Sequence, residues 1–291
     1  MYIHKAERIR VMQTVWQTIS QTVISSFPVV NLLLTVIAGC LGCLLFGKIH
    51  SPVKEALLRA LGLLTVLMGA VEIWNGFFVL QTAQFETVGT LLVVFAIPVG
   101  YAFGYALNLD CAIGRAGAWM HQQFTKEKPT RAEIIARAKG QDAPPRPKRH
   151  APSAEGFMLA SILCAFSSTT VFSTLVYSTS EDPIPLLLRL GFHVIVFFLL
   201  AALYGSNVTL AAVSVLAVEG ILLIVNALCG NLITHTLLNH LRLIGAVILV
   251  TAGFSMGCGK RVRAPRLIPA YLIPVIYGLS VLLATGALDA A

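Results

Sequence analysis

The sequence predicts an all-α protein, a polytopic transmembrane bundle of about eight helices. Of the 291 residues, 57% are hydrophobic and 12% are charged, about half the charge expected of a soluble domain. At about 20 apolar residues per span, this composition suffices for about eight spans. The apolar runs are continuous, without the alternation typical of a transmembrane β-barrel. The composition therefore excludes a soluble enzyme, a secreted disulfide scaffold and a disordered chain.

The apolar runs divide the chain into four segments. We expect an interfacial amphipathic helix over 1–27, spans one to three within 28–109, a basic cytoplasmic linker over 110–153, and spans four to eight within 154–291. The predicted spans are 28–47, 56–80, 87–109, 154–177, 184–204, 208–230, 239–258 and 267–288.

The basic residues between the spans predict the orientation. Bases occur in the segments 48–54, 110–153 and 260–266, whereas 81–86 and 178–183 contain none. The positive-inside rule places the three basic segments in the cytoplasm and both termini outside. The predicted location is a bacterial inner membrane, and the net charge of +8 then indicates loops facing anionic lipid rather than nucleic acid. Arg189 and Arg242 fit this scheme only as lone bases near the outer ends of spans.

The N-terminal segment 9–27 places Ile9, Met12 and Trp16, followed by Ile19 and Val23, at helical spacing between polar residues. This pattern predicts a helix in the membrane interface. Its own bases leave two positions open, on the outer face or beneath the cytoplasmic leaflet.

The linker 120–153 ends in the basic, proline-rich run 143–152. Such a run is typical of a solvated connection between helices. The alternative is a docking segment for anionic head groups or a cytosolic partner.

An internal similarity predicts an inverted-topology repeat of spans one to three against spans six to eight. The segment 58–62 aligns with 241–245 at a shift of 183 residues, and Gly47 then falls on Gly230. Inverted repeats are a common construction of secondary transporters. Two G-x-x-x-G motifs, Gly100–Gly104 and Gly253–Gly257, predict close helix packing, either within the chain or in a homodimer.

The chain resembles a bacterial integral membrane family catalogued as domain of unknown function 554. The matching residues are Asn31 with the glycines 39, 42 and 47, the block Gly100 to Asp110 with Gly117 and Trp119, and the C-terminal block Gly245 to Ala270. These blocks frame most of residues 29–280, whereas the middle departs from the family pattern around 167–174 and 189–193. The resemblance implies a helical membrane protein, for which transport is the usual suggestion.

Polar residues within the predicted spans are the candidate site, because ionisable groups are costly in a bilayer. Glu219 near the middle of span six could bind a cation or proton, or be a neutral acid bonded to another helix, and Asn226 follows on the same face. His193 could relay protons or be a buried neutral residue. The remaining candidate substrate-binding residues are Asn31, Ser167 and Thr170, whose hydroxyl and amide groups could equally serve helix packing.

The sequence contains no pattern of a nucleophile with a base, of a phosphate loop or of a metal cluster. We therefore expect no enzymatic activity, no metal and no cofactor. Our leading hypothesis is a carrier for a small solute or ion in the lipid bilayer, coupled to protons through Glu219. The alternative is a membrane scaffold that docks a partner through the 120–153 loop.

Overall fold

The structure is a computed structural model that describes residues 27–77, 87–124, 154–177, 184–229, 233–258 and 263–284. These residues form helices joined by short turns, which confirms the predicted all-α bundle. The interfacial helix predicted before residue 27 and most of the predicted linker, 125–153, lie outside the described residues. The helices are α1 Phe27–Leu45, α2 Ser51–Phe77, α3 Thr87–Ala106, α4 Leu109–Phe124, α5 Ala154–Ala165, α6 Ser168–Tyr177, α7 Ile184–Tyr204, α8 Asn207–Cys229, α9 His235–Cys258, a 3-10 helix Ala264–Tyr271 and α10 Leu272–Ala284.

The described residues contain seven helices long and apolar enough to cross a membrane, or eight if a bent pair counts as one span. The bent pair is α3 and α4, whose axes differ by 57°. The bend lies at Asn108, which has a positive φ of 52°, a conformation that asparagine tolerates better than most residues. Helix α4 thus occupies the first part of the segment predicted as linker. These lengths and compositions are those of a multi-pass membrane protein.

Helices α2 and α9 pack together along a stripe of glycines. A Cβ atom on Gly62 would lie 2.7 Å from the carbonyl oxygen of Gly253, and one on Gly69 would lie 2.6 Å from Val250. A Cβ on Gly76 would meet Leu243 at 2.7 Å. The absence of side chains at these three positions therefore permits the close approach. The contacts run in opposite order along the two helices, which are antiparallel.

Helix α1 packs against α8 in the same antiparallel sense. Asn31 near the start of α1 reaches Glu219, whereas Gly39 and Cys43 further along lie against Thr209 at the start of α8. The two helix pairs that the sequence similarity aligns, α1 with α8 and α2 with α9, are thus in contact and antiparallel. This arrangement agrees with the inverted repeat, whose common ancestry stays a prediction.

Both G-x-x-x-G motifs pack within the chain. Gly100 and Gly104 of α3 face the backbone of Ala270 and Arg266 in the 3-10 helix, and Gly253 faces Gly62 of α2. These glycines accommodate neighbouring backbone, as the motif predicts. The homodimer stays a prediction, and it would have to form around contacts that the chain already makes with itself.

Helices α5 and α6 form one membrane span that is broken in its middle. The α-helical pattern stops at Phe166 and Ser167. This span, Glu155–Val176, is the most buried candidate span, since 78% of its 18-residue apolar window is buried. The break frees carbonyl groups, which must find other donors in a membrane interior. The Thr170 hydroxyl donates to the Cys164 carbonyl at 2.6 Å, and the Tyr271 hydroxyl donates to the Phe166 carbonyl at 2.9 Å.

The last predicted cytoplasmic loop is partly a structural element. Arg266, expected in that loop, lies in the 3-10 helix, where it is 8% exposed. Its Nε donates to Asp110 Oδ2 at 2.8 Å, and its guanidinium lies 4.7 Å from the centre of the Tyr105 ring. The expectation that Arg266 is a solvated loop base is therefore corrected, because the carboxylate after the α3–α4 bend binds it.

Candidate functional site

Eight polar side chains meet in the interior of the bundle, around the break between α5 and α6. They come from α1, from the α5–α6 break, from α6, and from α7 and α8. Each is at most 4% exposed, so the site is closed to solvent. We call this set the polar cluster; its members are Asn31, Ser167, Thr170, Ser173, Thr174, Arg189, His193 and Glu219.

The centre of the polar cluster is an ion pair between Arg189 of α7 and Glu219 of α8. The Nη2 atom of Arg189 donates to Oε1 of Glu219, and both side chains are 1% exposed. The guanidinium also lies 4.7 Å from the centre of the Phe27 ring. A buried charge is tolerated only when a partner compensates it, so each of these two residues requires the other.

Helix α6 supplies further acceptors for the guanidinium. Arg189 Nη1 donates to Ser173 Oγ at 2.9 Å and to Thr174 Oγ1 at 2.8 Å. Ser173 in turn donates to the Thr169 carbonyl of its own helix. The hydroxyl run that the sequence shows over 167–174 therefore has a specific role, since two of its members orient the arginine.

Asn31 connects the ion pair to His193. Its Nδ2 donates to Glu219 Oε1 at 2.7 Å, and its Oδ1 lies 3.2 Å from His193 Nδ1. On the other side of the imidazole ring, Nε2 lies 3.2 Å from Thr170 Oγ1. One hydrogen-bonded path thus runs from the carboxylate of Glu219 to the backbone at the helix break.

Two atoms of the ion pair keep unused bonding capacity. Oε2 of Glu219 and Nε of Arg189 are buried and have no hydrogen-bond partner among the described residues. A buried polar atom without a partner costs about 1–3 kcal/mol. The pair therefore presents one acceptor and one donor that a bound ion, proton or solute can satisfy.

The structure brings together five of the six predicted site residues: Asn31, Ser167, Thr170, His193 and Glu219. Ser167 belongs through its hydroxyl, 2.8 Å from Thr169 and 3.3 Å from Thr170. Asn226, the sixth, is half-buried on α8 two turns from Glu219.

The principal residue that sequence reasoning missed is Arg189. We expected a lone base near the outer end of a span, but it is the partner of Glu219. Arg242, expected to be another lone base, donates from Nε to Glu72 Oε2 at 2.5 Å and lies 4.2 Å from the centre of the Phe172 ring. The available signal was the balance of charge, because the predicted spans contain three arginines (59, 189 and 242) and three glutamates (72, 155 and 219).

The bundle has two cavities at its surface. A crevice of about 330 Å³ is lined by Asp110, Glu155 and Arg263, and by Met158 and Ile162 of α5. A second, nearly entirely apolar groove of about 680 Å³ lies between α6, α8, α9 and α10. The crevice runs beside α5 from Glu155 to Ile162, and the residues that line the two cavities are not members of the polar cluster.

The described residues contain no group of three or more His, Cys, Asp or Glu side chains that could hold a metal ion. The polar cluster has instead one cation, one carboxylate, one imidazole, one amide and hydroxyls. Such a set can bind charged or hydrogen-bonding groups and can hold a proton.

The fold and the buried polar cluster define a multi-pass helical membrane protein with ionisable groups inside the bundle. The family described as "Protein of unknown function (DUF554)" matches residues 27–279. The chain therefore belongs to this family, as the sequence resemblance implies. No curated protein and no solved structure matches it.

Proposed function

We propose that this protein is a secondary carrier of a bacterial inner membrane, which moves a small solute or ion by using the polar cluster as its binding site. The observation that carries the proposal is the buried ion pair of Arg189 and Glu219 beside the broken span α5–α6. Ionisable groups inside a membrane are expensive, and they commonly mark the path of an ion or substrate. Broken helices with a central site are a recurrent construction of secondary transporters.

The unused atoms of the ion pair support a binding role. Oε2 of Glu219 and Nε of Arg189 are buried without a hydrogen-bond partner among the described residues. Each such atom costs free energy, so a pair with only a structural role would be more stable if the protein supplied partners for both. A solute with a donor and an acceptor would satisfy both atoms. A proton or cation would satisfy Oε2.

The crevice beside α5 is the proposed route to the cluster. The chain segment before α5 contains the basic run 143–152, so the positive-inside rule places this end of α5 in the cytoplasm. The crevice at the start of α5 would then open on the cytoplasmic side. In the state that the structure describes the polar cluster is closed, so solute access requires a movement at the break.

Reconstituted vesicles containing a pH-sensitive dye test the proposal. A panel of small anions, cations, amino acids and sugars is added outside, and the internal pH is followed under an imposed pH gradient. We expect at least one class of solute to change the proton flux of the wild type. The Glu219→Gln variant should lose that response, whereas Glu72→Gln, which removes the carboxylate of the other ion pair, should retain it.

Equal responses of the wild type and E219Q would exclude the cluster from the transport path. A complete lack of response to the panel, with E219Q and wild type both folded, would contradict a carrier that couples these solutes to protons.

The scaffold alternative depends on the 120–153 loop, of which residues 125–153 lie outside the described part of the chain. Deletion of 125–150 separates the two functions. A carrier keeps its solute response without this segment, whereas a scaffold loses a co-purifying partner.

A further inference from the structure

We propose that His193 is the proton-binding residue of the polar cluster, with one proton fixed on Nδ1 and a second, exchangeable proton on Nε2. The proton site follows from the direction of the hydrogen bonds around the ring. Its use in coupling rests on the proposed carrier function, but the binding of the proton does not.

The fixed proton is determined by Asn31. Glu219 Oε1 accepts from Arg189, and a carboxylate oxygen cannot donate, so the amide of Asn31 must direct its NH₂ group toward Glu219. Its carbonyl oxygen Oδ1 then faces His193 Nδ1 at 3.2 Å. Because Oδ1 can only accept, the Nδ1 atom of His193 has to carry a proton.

The exchangeable proton is determined by Thr170. A threonine hydroxyl has one proton to donate, and that of Thr170 goes to the Cys164 carbonyl at 2.6 Å, the shorter of its two contacts with acceptors. Toward His193 Nε2, at 3.2 Å, the hydroxyl oxygen is therefore an acceptor. This geometry is satisfied when Nε2 also carries a proton, which makes the ring an imidazolium.

In the neutral ring, Nε2 has a lone pair and becomes a second acceptor facing Thr170. It then competes with the Cys164 carbonyl for the same hydroxyl proton. The Cys164 carbonyl is one of the groups freed by the break between α5 and α6, and its only donor among the described hydrogen bonds is Thr170. The protonation of His193 therefore determines whether this carbonyl at the break is securely bonded.

The charges around His193 affect how readily the ring binds the second proton. Arg189 lies one turn earlier on α7, and its positive charge opposes protonation. Glu219 of α8 neutralises Arg189, and its unpartnered Oε2 leaves negative potential at the end of the Asn31 bridge. The Cys164 thiol of α5 is the remaining titratable neighbour.

Among the described residues, the other helices packed on α7 place no further charge at the ring. Helix α1 contributes the amide of Asn31, and α6 contributes hydroxyl groups. The membrane carboxylate of α2, Glu72, is bound by Arg242. The imidazolium would be the single net charge of the polar cluster, so the complete burial of the ring also opposes the second proton.

The test is ¹⁵N NMR of the full chain with labelled histidine in lipid nanodiscs over a pH series. The chain has seven histidines, and the His193→Gln variant identifies the signals of His193. We expect two protonated ring nitrogens at low pH and loss of the Nε2 proton alone as the pH rises. The neutral ring should thus keep its proton on Nδ1.

Thr170→Val removes the acceptor of the Nε2 proton and should lower the titration midpoint of His193 by about one pH unit, which is tenfold in the proton dissociation constant. The matched control is Thr65→Val, a buried threonine of α2 outside the polar cluster, whose hydroxyl donates to the Leu61 carbonyl of its own helix. This control should leave the midpoint in place.

A neutral His193 with its proton on Nε2 would overturn the proposal. So would a ring that keeps one protonation state at every pH at which the wild type is folded, or equal shifts of the titration midpoint in T170V and T65V. If T170V does not fold, the tautomer and the titration of His193 in the wild type still test the proposal. Solute uptake without titration of His193 would support the carrier function and refute the proton site. Titration of His193 without uptake would support the proton site and refute the carrier function.

Discussion

Replacement of Arg189 by methionine and replacement of Glu219 by glutamine should each destabilise the protein strongly, because each leaves a buried charge without its partner. Arg189→Met leaves a carboxylate at 1% exposure with the amide of Asn31 as its remaining described donor. Removing one partner of a buried ion pair costs about 3–5 kcal/mol. In Glu219→Gln, the arginine keeps its bonds to Ser173 and Thr174 but loses its counter-charge, so a cost in the same range, about 3–5 kcal/mol, is expected.

The double variant measures the coupling between the two residues. Once Arg189 is absent, a neutral glutamine costs less than a charged glutamate, so R189M/E219Q should be more stable than R189M. We expect the two single costs to exceed the cost of the double variant by at least about 3 kcal/mol. The free energy of unfolding, followed by circular dichroism during a denaturant titration in mixed micelles, provides all four values.

The second ion pair supplies a matched cycle in the same molecule. Arg242 and Glu72 are 15% and 13% exposed, so solvent compensates part of each single change. The coupling of R242M and E72Q should therefore be smaller, about 0.5–1 kcal/mol. Single costs of R189M and E219Q that simply add, within about 0.5 kcal/mol, would refute the central ion pair.

Two further predictions concern packing. Gly62→Ala places a Cβ 2.7 Å from the Gly253 carbonyl oxygen and should cost about 1–3 kcal/mol of stability. The control Gly191→Ala, whose Cβ meets no atom within 4 Å, should be neutral or stabilising by up to about 1 kcal/mol. Thermal unfolding of both variants checks this prediction, and equal melting temperatures would contradict it. Tyr271→Phe removes the donor to the Phe166 carbonyl and should cost about 1–3 kcal/mol, with faster amide hydrogen exchange at residues 166–171; unchanged exchange there would show that the break does not depend on this bond.

The sequence was sufficient for the helices and the candidate polar residues because both follow from properties local to the chain. Apolar run lengths identify spans, and an ionisable residue in such a run is conspicuous. The pairing of neighbouring helices depends instead on contacts between distant parts of the chain. Arg189 could be recognised as the partner of Glu219 only once α7 and α8 were packed with their chemically matched residues at one level.

The break between α5 and α6, within the fourth predicted span, could not be predicted from the sequence pattern either. Residues 154–177 form one continuous apolar run without proline or glycine near the break, since Gly156 lies far from it. Serine and threonine occur readily in intact membrane helices. One carbonyl freed at the break, that of Phe166, is bound by Tyr271, which is 105 residues away in the sequence.

The glycine stripe of α2 has a mechanical consequence. Val250 and Leu243 of α9 occupy the notches over Gly69 and Gly76, so a slip by one residue would drive these side chains into the larger neighbours of each glycine. Interlocked helices of this kind move as one body, because a packed core resists continuous deformation. Helices α2 and α9 therefore act as a rigid frame, and any motion that opens the bundle has to occur among the other helices.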